Sequence, residues 1–192
     1  MIYCFEGARN SGKTFLSNYI SDSLDIERFQ FDFGQFFHLL DLKSTDNREA
    51  HSFSMGKELM IMQLARDIKV VNEFIHDRSI LTVLAWGLSE NRISKDDVIK
   101  QIDFIVENDL LKNIFIIYID GKNPIKREGV KDHWDYADNS DKERDAFEFI
   151  ISEFDKRETS SIIRFQNDFT VNSQTKLYNL FNSILRPCAV YY

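Results

Sequence analysis

An eight-residue segment near the N-terminus has residue types suited to binding phosphate groups. Residues 7–14 read Gly-Ala-Arg-Asn-Ser-Gly-Lys-Thr and match the pattern Gly-x-x-x-x-Gly-Lys-Ser/Thr at every fixed position. An apolar run at 1–5 precedes the segment and apolar residues at helical spacing follow it, so it is expected to connect a strand to a helix. Glycines let such a loop turn its backbone N–H groups inward, next to the positive end of the helix dipole. The sequence therefore predicts a phosphate-binding loop for a nucleoside triphosphate.

Two side chains of the phosphate-binding loop have predicted roles of their own. Lys13 is expected to reach the β- and γ-phosphates of ATP, and Thr14 is expected to place its hydroxyl on Mg²⁺. ATP and Mg²⁺ are accordingly the expected cofactors. The alternative is an ordinary glycine-containing turn, which the flanking strand and helix patterns disfavour. The residues expected to hold the donor nucleotide are Gly7, Asn10, Ser11, Gly12, Lys13 and Thr14.

A second group of charged residues, Asp77-Arg78-Ser79, follows a strand-like run at 73–75. In open α/β sheets, ligands bind beyond the carboxyl ends of the strands. Asp77 is therefore placed to hold Mg²⁺, directly or through water, or to accept the proton of the attacking group. Arg78 could hold a substrate phosphate through two hydrogen bonds. The alternative is a surface Asp–Arg ion pair in which Asp77 caps the following helix.

The remaining pattern predicts the elements that would position these groups. Runs rich in β-branched and aromatic residues predict strands at 1–6, 28–33, 73–75, 113–120 and 161–165. Apolar residues at helical spacing predict helices at 13–24, 54–68, 80–88, 94–111, 141–156 and 173–185. Ser94 and Asp97 fit a capping box, and the polar residues 43–52 are predicted as a loop. The alternation of strands and helices predicts an α/β protein with a central parallel sheet of about five strands.

Composition favours one domain spanning 1–192, because 192 residues fall within the usual size of a single domain. No apolar run approaches the ~20 residues that cross a bilayer, and no secretory leader precedes the first strand, so a cytoplasmic protein without membrane contact is expected. Two cysteines, Cys4 and Cys188, favour reduced thiols, with Cys4 in the core of the first strand. The net charge of −7 argues weakly against extended contact with nucleic acid.

Three stretches resemble the thymidylate kinase and deoxynucleoside kinase branch of the P-loop kinases. They are Phe5-Glu6-Gly7 running into the phosphate-binding loop, the strand-end Asp77-Arg78-Ser79, and the basic segment that follows 113–120. The first two are specific matches, whereas the third matches in position and composition. The resemblance implies a three-layer P-loop NTPase fold in which a mobile lid occupies about 121–140.

Such a lid would bring a basic side chain over the transferring phosphoryl group. Arg127 is the preferred residue, because Pro124 and Lys126 place it where the lid is expected to start. The alternative is that these charges form a solvated surface. The other candidates in this basic segment are Lys122, Lys126, Lys131 and Arg144.

Asp32 lies at the end of the second predicted strand, where deoxynucleoside kinases place an acidic residue that acts as the base for the sugar hydroxyl. The Glu-Pro sequence of those enzymes and the Arg-Glu-Pro of thymidylate kinases are absent here, which leaves the acceptor undecided. Arg66 and Asp67 are weaker candidates for contact with a substrate. Aromatic residues that could stack on a base, or could simply pack in the core, are Phe33, Phe36, Phe37 and Trp86.

The main functional hypothesis is a Mg²⁺- and ATP-dependent kinase that phosphorylates a nucleoside or a deoxynucleoside monophosphate. A second hypothesis is a kinase of a modified pyrimidine within phage DNA, in which case the protein would act in the host cytoplasm. A third is a nucleotide-binding regulatory module without kinase activity, against which the Asp77-Arg78-Ser79 signature argues. The expected partner is a small nucleotide or nucleoside. DNA is not favoured by the charge, and a homodimer is left open.

Overall fold

A central five-stranded parallel sheet organises the part of the chain that the structure describes, residues 1–30, 48–67, 72–121 and 136–185 of a computed structural model. The strand order across the sheet is β2-β3-β1-β4-β5. The strands are β1 (Ile2–Glu6), β2 (Glu27–Gln30), β3 (Phe74–Asp77), β4 (Ile114–Gly121) and β5 (Ile162–Asn167). All four pairings are parallel, so the carboxyl ends of the strands share one edge.

Helices cover both faces of this sheet. They are α1 (Lys13–Leu24), α2 (Arg48–Asp67), α3 (Ile80–Ser89), α4 (Lys95–Glu107), α5 (Tyr136–Asp155) and α6 (Val171–Leu180), and a π-helical turn (Phe181–Leu185) follows α6. The predicted α/β fold with a parallel sheet between two helical layers is confirmed. No helix in the described ranges is both long and apolar enough to cross a membrane.

Strand alternation divides the interior into two apolar cores, because successive side chains of a strand point to opposite faces. Ile2 and Cys4 of β1 lie in the core formed with α2, α3, α4 and α5. Tyr3 and Phe5 lie in the core formed with α1, α6 and the π-helical turn. Cys4 is a free, buried thiol, as expected of a core residue of the first strand.

Several predicted boundaries differ from the structure. Helix α2 begins at Arg48, within a segment predicted as loop, and α5 begins at Tyr136, within the predicted lid. Polar and charged residues occur in helices as well as in loops, so polarity was a poor indicator of loop at both places. Helix α4 ends at Glu107 instead of 111, because Asn108 terminates it and Asp109 adopts a left-handed conformation (φ 52°).

The capping box predicted for α4 is confirmed. The Ser94 hydroxyl accepts a hydrogen bond from the Asp97 amide, and the Asp97 carboxylate accepts one from the Ser94 amide. Other predicted features lie outside the described residues: Asp32, Phe33, the aromatic segment 35–42, Cys188, and the basic residues Lys122, Lys126, Arg127 and Lys131.

Candidate active site

The phosphate-binding loop connects β1 to α1 at the carboxyl edge of the sheet. Gly7 and Gly12 have φ angles of 146° and 87°, and Asn10 has a φ of 62°. A Cβ atom on Gly7 would lie 2.5 Å from the carbonyl oxygen of Ile119 in β4. Glycine is therefore required at position 7 for both its conformation and its close approach to the neighbouring strand. The pattern of fixed glycines read from the sequence has a steric basis in the fold.

The N-terminus of α1 is open to an anion. Gly12 is its N-cap residue and has no side chain with which to cap the first turn. The hydroxyl of Ser11 is buried and has no hydrogen-bond partner within the described part of the chain. The unsatisfied N–H groups of a first helical turn carry partial positive charge. This end of α1 therefore has the donors that a phosphate group needs.

Lys13 is the first residue of α1, and its side chain is only 6% exposed. Its Nζ donates to the carbonyl oxygen of Ala8 within the loop, at 3.4 Å. Burial, and next the positive charge of Arg78, lower the pKa of the Lys13 ammonium to about 8, although the carboxylates of Asp77, Glu6 and Glu143 act in the opposite direction. The structure thus places Lys13, Asp77 and Arg78 close enough to interact electrostatically.

Asp77 is the last residue of β3 and lies beside Phe5 of β1 in the sheet register. Its side chain is 4% exposed. One carboxylate oxygen, Oδ2, forms an ion pair with Nη2 of Arg28 in β2 at 2.5 Å. The other, Oδ1, is buried and has no hydrogen-bond partner among the described residues. Asp77 therefore has one oxygen held by the protein and one oxygen without a protein donor.

These contacts contradict the alternative in which Asp77 and Arg78 form a surface pair at a helix start. Asp77 is buried and pairs with Arg28 of the neighbouring strand. The N-cap residue of α3 is Ser79, whose hydroxyl accepts from the amide of Leu81. An exposed ion pair on the surface would contribute little to stability. The carboxylate of Asp77 instead lies next to the phosphate-binding loop.

Arg78 is a half-buried residue held in a left-handed backbone conformation with φ 80°. Its amide donates to the carbonyl oxygen of Phe5 at 3.2 Å. Its own carbonyl oxygen is hydrogen-bonded by Nδ1 of His76. A positive φ is strained for a residue with a long side chain, and it persists where surrounding contacts enforce it. The backbone of Arg78 is thereby fixed at the end of β1, where the phosphate-binding loop begins.

Glu6 is a site-forming residue to which the sequence analysis gave no role beyond the resemblance. Its carboxylate is fully buried and accepts hydrogen bonds from the amide and hydroxyl of Ser79, at 2.5 and 2.6 Å, and from the amide of Thr82 at 3.1 Å. Burial raises the pKa of Glu6, and the hydrogen bonds from Ser79 and Thr82 oppose that rise. A carboxylate at a helix N-terminus also complements the helix dipole. Glu6 therefore joins the end of β1 to the start of α3, and the position of an acidic residue at the end of an apolar strand is the signal for it.

The end of β5 and the residues that follow it contact the phosphate-binding loop. The sequence pattern did not indicate this contact. Asn167 ends β5 and donates through Nδ2 to the carbonyl oxygen of Ser11 at 2.8 Å. Its Oδ1 accepts from the amide of Phe169 at 3.0 Å. A side chain on Gly12 would collide with both Asn167 and Phe169. The bond between Asn167 and Ser11 links residues 156 positions apart in the chain, so no local pattern could have indicated it.

An ion pair joins the phosphate-binding loop to α5. Arg9 forms an ion pair through Nε with Oε1 of Glu143 at 2.6 Å, and its backbone amide donates to Oε2 at 3.0 Å. Arg144, a candidate for the lid, instead pairs with Asp141 on its own helix at 3.2 Å. The charge that the structure brings to the loop from this helix is therefore the carboxylate of Glu143.

Two groups of predicted substrate contacts do not join the site. Arg66 lies at the end of α2 and donates to the carbonyl oxygen of Asn108, near the edge where the strands begin, while pairing with Asp67. The end of α2 thus lies by Asn113, just before β4 starts, and the structure does not bring Arg66 and Asp67 to the phosphate-binding loop. Trp86 packs half-buried against His51, with Arg92 over its ring, which favours its packing role.

Solved structures with the same fold include a deoxyadenosine kinase, a thymidylate kinase and a shikimate kinase. The deoxyadenosine kinase from M. mycoides, solved with the products dCMP and a flexible dCDP, has a TM-score of 0.59 and 20% identity, with 96% of this chain and 100% of that chain covered. The thymidylate kinase from Candida albicans has a TM-score of 0.58 and 15% identity, with 95% and 91% covered. An NadR protein in complex with NR has a TM-score of 0.63 and 8% identity, with 95% and 50% covered.

No protein-family profile and no curated protein sequence matches the chain. The likeness to the solved kinases is thus one of three-dimensional structure at low sequence identity. It covers nearly the whole of this chain and the whole of the M. mycoides enzyme.

Proposed function

We propose that this chain, which has the fold of the P-loop nucleoside and nucleotide kinases, transfers the γ-phosphoryl group of ATP to a nucleoside or nucleotide in a Mg²⁺-dependent reaction. The observation that carries the proposal is that β3 ends at Asp77, and Arg78 bonds to Phe5 of β1, where the phosphate-binding loop leads to the open N-terminus of α1 and to Lys13. Phosphoryl transfer requires positioning and charge neutralisation more than covalent chemistry by the protein. These three side chains supply both kinds of charge at the place where phosphates would bind.

The donor phosphates would lie against the loop amides and the first turn of α1. Gly7, Asn10, Ser11 and Gly12 shape this cradle, and the unpartnered hydroxyl of Ser11 is a further donor. Lys13 Nζ bonds only weakly to Ala8 at 3.4 Å, so little is lost when it turns to a phosphate. Protonated Lys13 would stabilise the charge that develops on the transferring group.

The side chains present fit a Mg²⁺ ion held together with the ATP phosphates. Mg²⁺ prefers oxygen ligands and is commonly bound by one or two protein groups plus phosphates and water. The exposed Thr14 hydroxyl and the buried Oδ1 of Asp77 are such oxygens. When bound, the metal would neutralise phosphate charge. Thr14 and Asp77 would hold it, and Arg28 would keep the second oxygen of Asp77 occupied.

Arg78 would orient the acceptor, because a guanidinium can bind a phosphate or a hydroxyl-bearing sugar at the end of β3. Two further residues complete the proposal on sequence grounds alone. Arg127 would close over the transferring group from the lid, and Asp32 would accept the proton of an attacking hydroxyl. A shikimate kinase shares the fold as well, so the choice of a nucleoside or nucleotide acceptor rests on the resemblance of Phe5-Glu6-Gly7 and Asp77-Arg78-Ser79, together with the deoxyadenosine and thymidylate kinases of the same fold.

An acceptor screen tests the proposal. Radiolabelled ATP and Mg²⁺ are supplied with a panel of nucleosides, nucleoside monophosphates, and duplex DNA with or without hydroxymethylated pyrimidines. We expect label to appear on a free nucleoside or nucleotide. Label on the modified DNA alone would instead support the DNA-directed kinase, and ATP binding without any labelled acceptor would support a regulatory module.

The matched variants are Lys13→Ala in the loop and Lys100→Ala on α4, where the side chain is 74% exposed in the ion pair with Asp97. Lys13→Ala should abolish labelling while the protein stays folded, and Lys100→Ala should label at the wild-type rate. Full ATP-dependent phosphorylation by Lys13→Ala would refute the assignment.

A further inference from the structure

Arg28 is a charged residue in β2 that neither the motif nor the resemblance identifies. It lies on the strand next to β3, and its side chain is 16% exposed. The register pairs it with Ile75, so it points to the sheet face that carries α1. A partly buried arginine on this face is costly unless its charge is compensated. The contacts of its guanidinium show where the compensation comes from.

The guanidinium of Arg28 contacts two elements of the active site at once. Nη2 pairs with Oδ2 of Asp77 at 2.5 Å, and Nε donates to the hydroxyl of Ser17 at 3.1 Å. The Ser17 hydroxyl in turn donates to the carbonyl oxygen of Thr14 at 3.0 Å. Ser17 is fully buried in α1, which restricts its hydroxyl to this geometry. A continuous chain of polar contacts therefore runs from Asp77 through Arg28 and Ser17 to Thr14.

We infer that Arg28 is a positioning residue for the magnesium ligands of the proposed kinase. This inference rests on the proposed function, and it adds that one side chain sets the relative placement of Asp77 and Thr14. Holding Oδ2 leaves Oδ1 as the free oxygen, and the bond through Ser17 keeps the first turn of α1 in register with the end of β3. Groups that orient metal ligands in this way commonly alter metal affinity by about 10–100-fold when mutated.

The test compares ATP binding with and without Mg²⁺ by titration calorimetry, using the full chain. The ratio of the ATP Kd in EDTA to the ATP Kd in Mg²⁺ measures how well the ligands hold the metal. In Arg28→Met we expect this ratio to fall about tenfold, while the Kd in EDTA changes by less than about threefold. Arg28→Lys keeps a cation beside Asp77 but cannot also bond Ser17, so it should restore part of the ratio.

Arg157→Met is the matched control. Arg157 is 20% exposed and pairs with Asp103 at 2.6 Å, but it follows α5 at the edge where β5 begins, away from the loop. It should lose thermal stability without any change in the Kd ratio. A wild-type ratio in Arg28→Met would overturn the inference, because the ion pair would then be merely structural.

Ser17→Ala decides the matter if Arg28→Met does not fold. This variant removes one hydroxyl from the chain of contacts and leaves the ion pair between Arg28 and Asp77, so it should lower the ratio by about threefold, less than the ~10–100-fold of a lost orienting group. An unchanged ratio in Ser17→Ala would overturn the inference. If the wild-type protein failed to bind ATP at all, the proposed function itself would be refuted. If the wild-type protein bound ATP normally and the Kd ratio of Arg28→Met were unchanged, only the inference about Arg28 would be refuted.

Discussion

Lys13 and Asp77 are two buried charges of the candidate active site that the fold treats in opposite ways. Asp77 has a guanidinium against one of its oxygens. Lys13 has no carboxylate within ion-pair distance in the described ranges, and its burial lowers the pKa of its ammonium to about 8. The carboxylate is thus compensated before any ligand binds, whereas the ammonium is stabilised fully only by an added anion. This difference indicates that the protein holds Asp77 in a fixed orientation, whereas Lys13 is available to bind an anionic substrate.

The largest expected effect is on turnover in Lys13→Met, which removes the ammonium but keeps most of the aliphatic stem. Turnover should fall by about 10³-fold, the size expected when one preorganised charge is removed from a transition state. The free energy of unfolding should not fall, because a buried, unpaired ammonium opposes folding. Steady-state kinetics and urea unfolding of the same variant measure the two quantities, and a large loss of stability would contradict this view of Lys13.

Asp77→Ala should behave in the opposite way with respect to stability. It leaves Arg28 without its carboxylate, so the free energy of unfolding should fall by about 2 kcal/mol. This is below the ~3–5 kcal/mol of a fully buried pair, because Arg28 is partly exposed. The double variant Arg28→Met, Asp77→Ala should regain about 1 kcal/mol, since both charges of the pair are then removed together. Additive losses in urea unfolding would argue against a coupled pair.

The pH dependence of ATP binding sharpens the comparison further. With a pKa of about 8, the protonated fraction of Lys13 falls from about nine-tenths at about pH 7 to about one-tenth at about pH 9. If the ammonium is the form that binds phosphate, the apparent Kd for ATP should rise about tenfold over this interval, and affinity is lost as the pH rises. Calorimetric titrations across this range measure it, with Lys13→Met as the variant whose Kd should stay flat.

The smallest effect is expected at the ion pair between Arg9 and Glu143, which is more exposed than that of Asp77. Glu143→Gln should lower the free energy of unfolding by about 0.5 kcal/mol, because exposed pairs contribute little. If the free energy of unfolding fell as much as in Asp77→Ala, the ion pair between Arg9 and Glu143, and not that between Arg28 and Asp77, would be the main ion pair that stabilises this region. Thermal or urea unfolding in parallel with the other variants makes the comparison.

The sequence predicted the elements that have a strong local signal. The buried strands β1 and β4 are continuous runs of apolar residues, and α4 begins with a capping box, so both kinds of element could be predicted from neighbouring residues. Helix starts at Arg48 and Tyr136 were missed because polar residues do not distinguish a solvent-facing helix from a loop. Local patterns therefore indicate where a chain is buried more reliably than where an exposed helix starts.

The candidate site divides in the same way. Lys13, Thr14 and Asp77 could be recognised because their chemistry follows from a short motif and from the end of a strand. Arg28 and Asn167 could not be recognised in these roles, and for Glu6 the end of an apolar strand gives a signal but does not identify the partner. Their partners Asp77, Ser11 and Ser79 lie 49, 156 and 73 positions away in sequence. Only the parallel pairing of strands brings these residues together.

By itself, the amino-acid sequence determined that the chain carries a phosphate-binding loop between a strand and a helix, and that an acidic residue ends another strand of a parallel sheet. Both follow from residue types within a few positions of one another. The tertiary structure decided that Arg28 and not Arg78 pairs with Asp77, and that Glu6 anchors α3. Those contacts depend on strand order, register and which face each side chain occupies, and these are properties of the whole sheet.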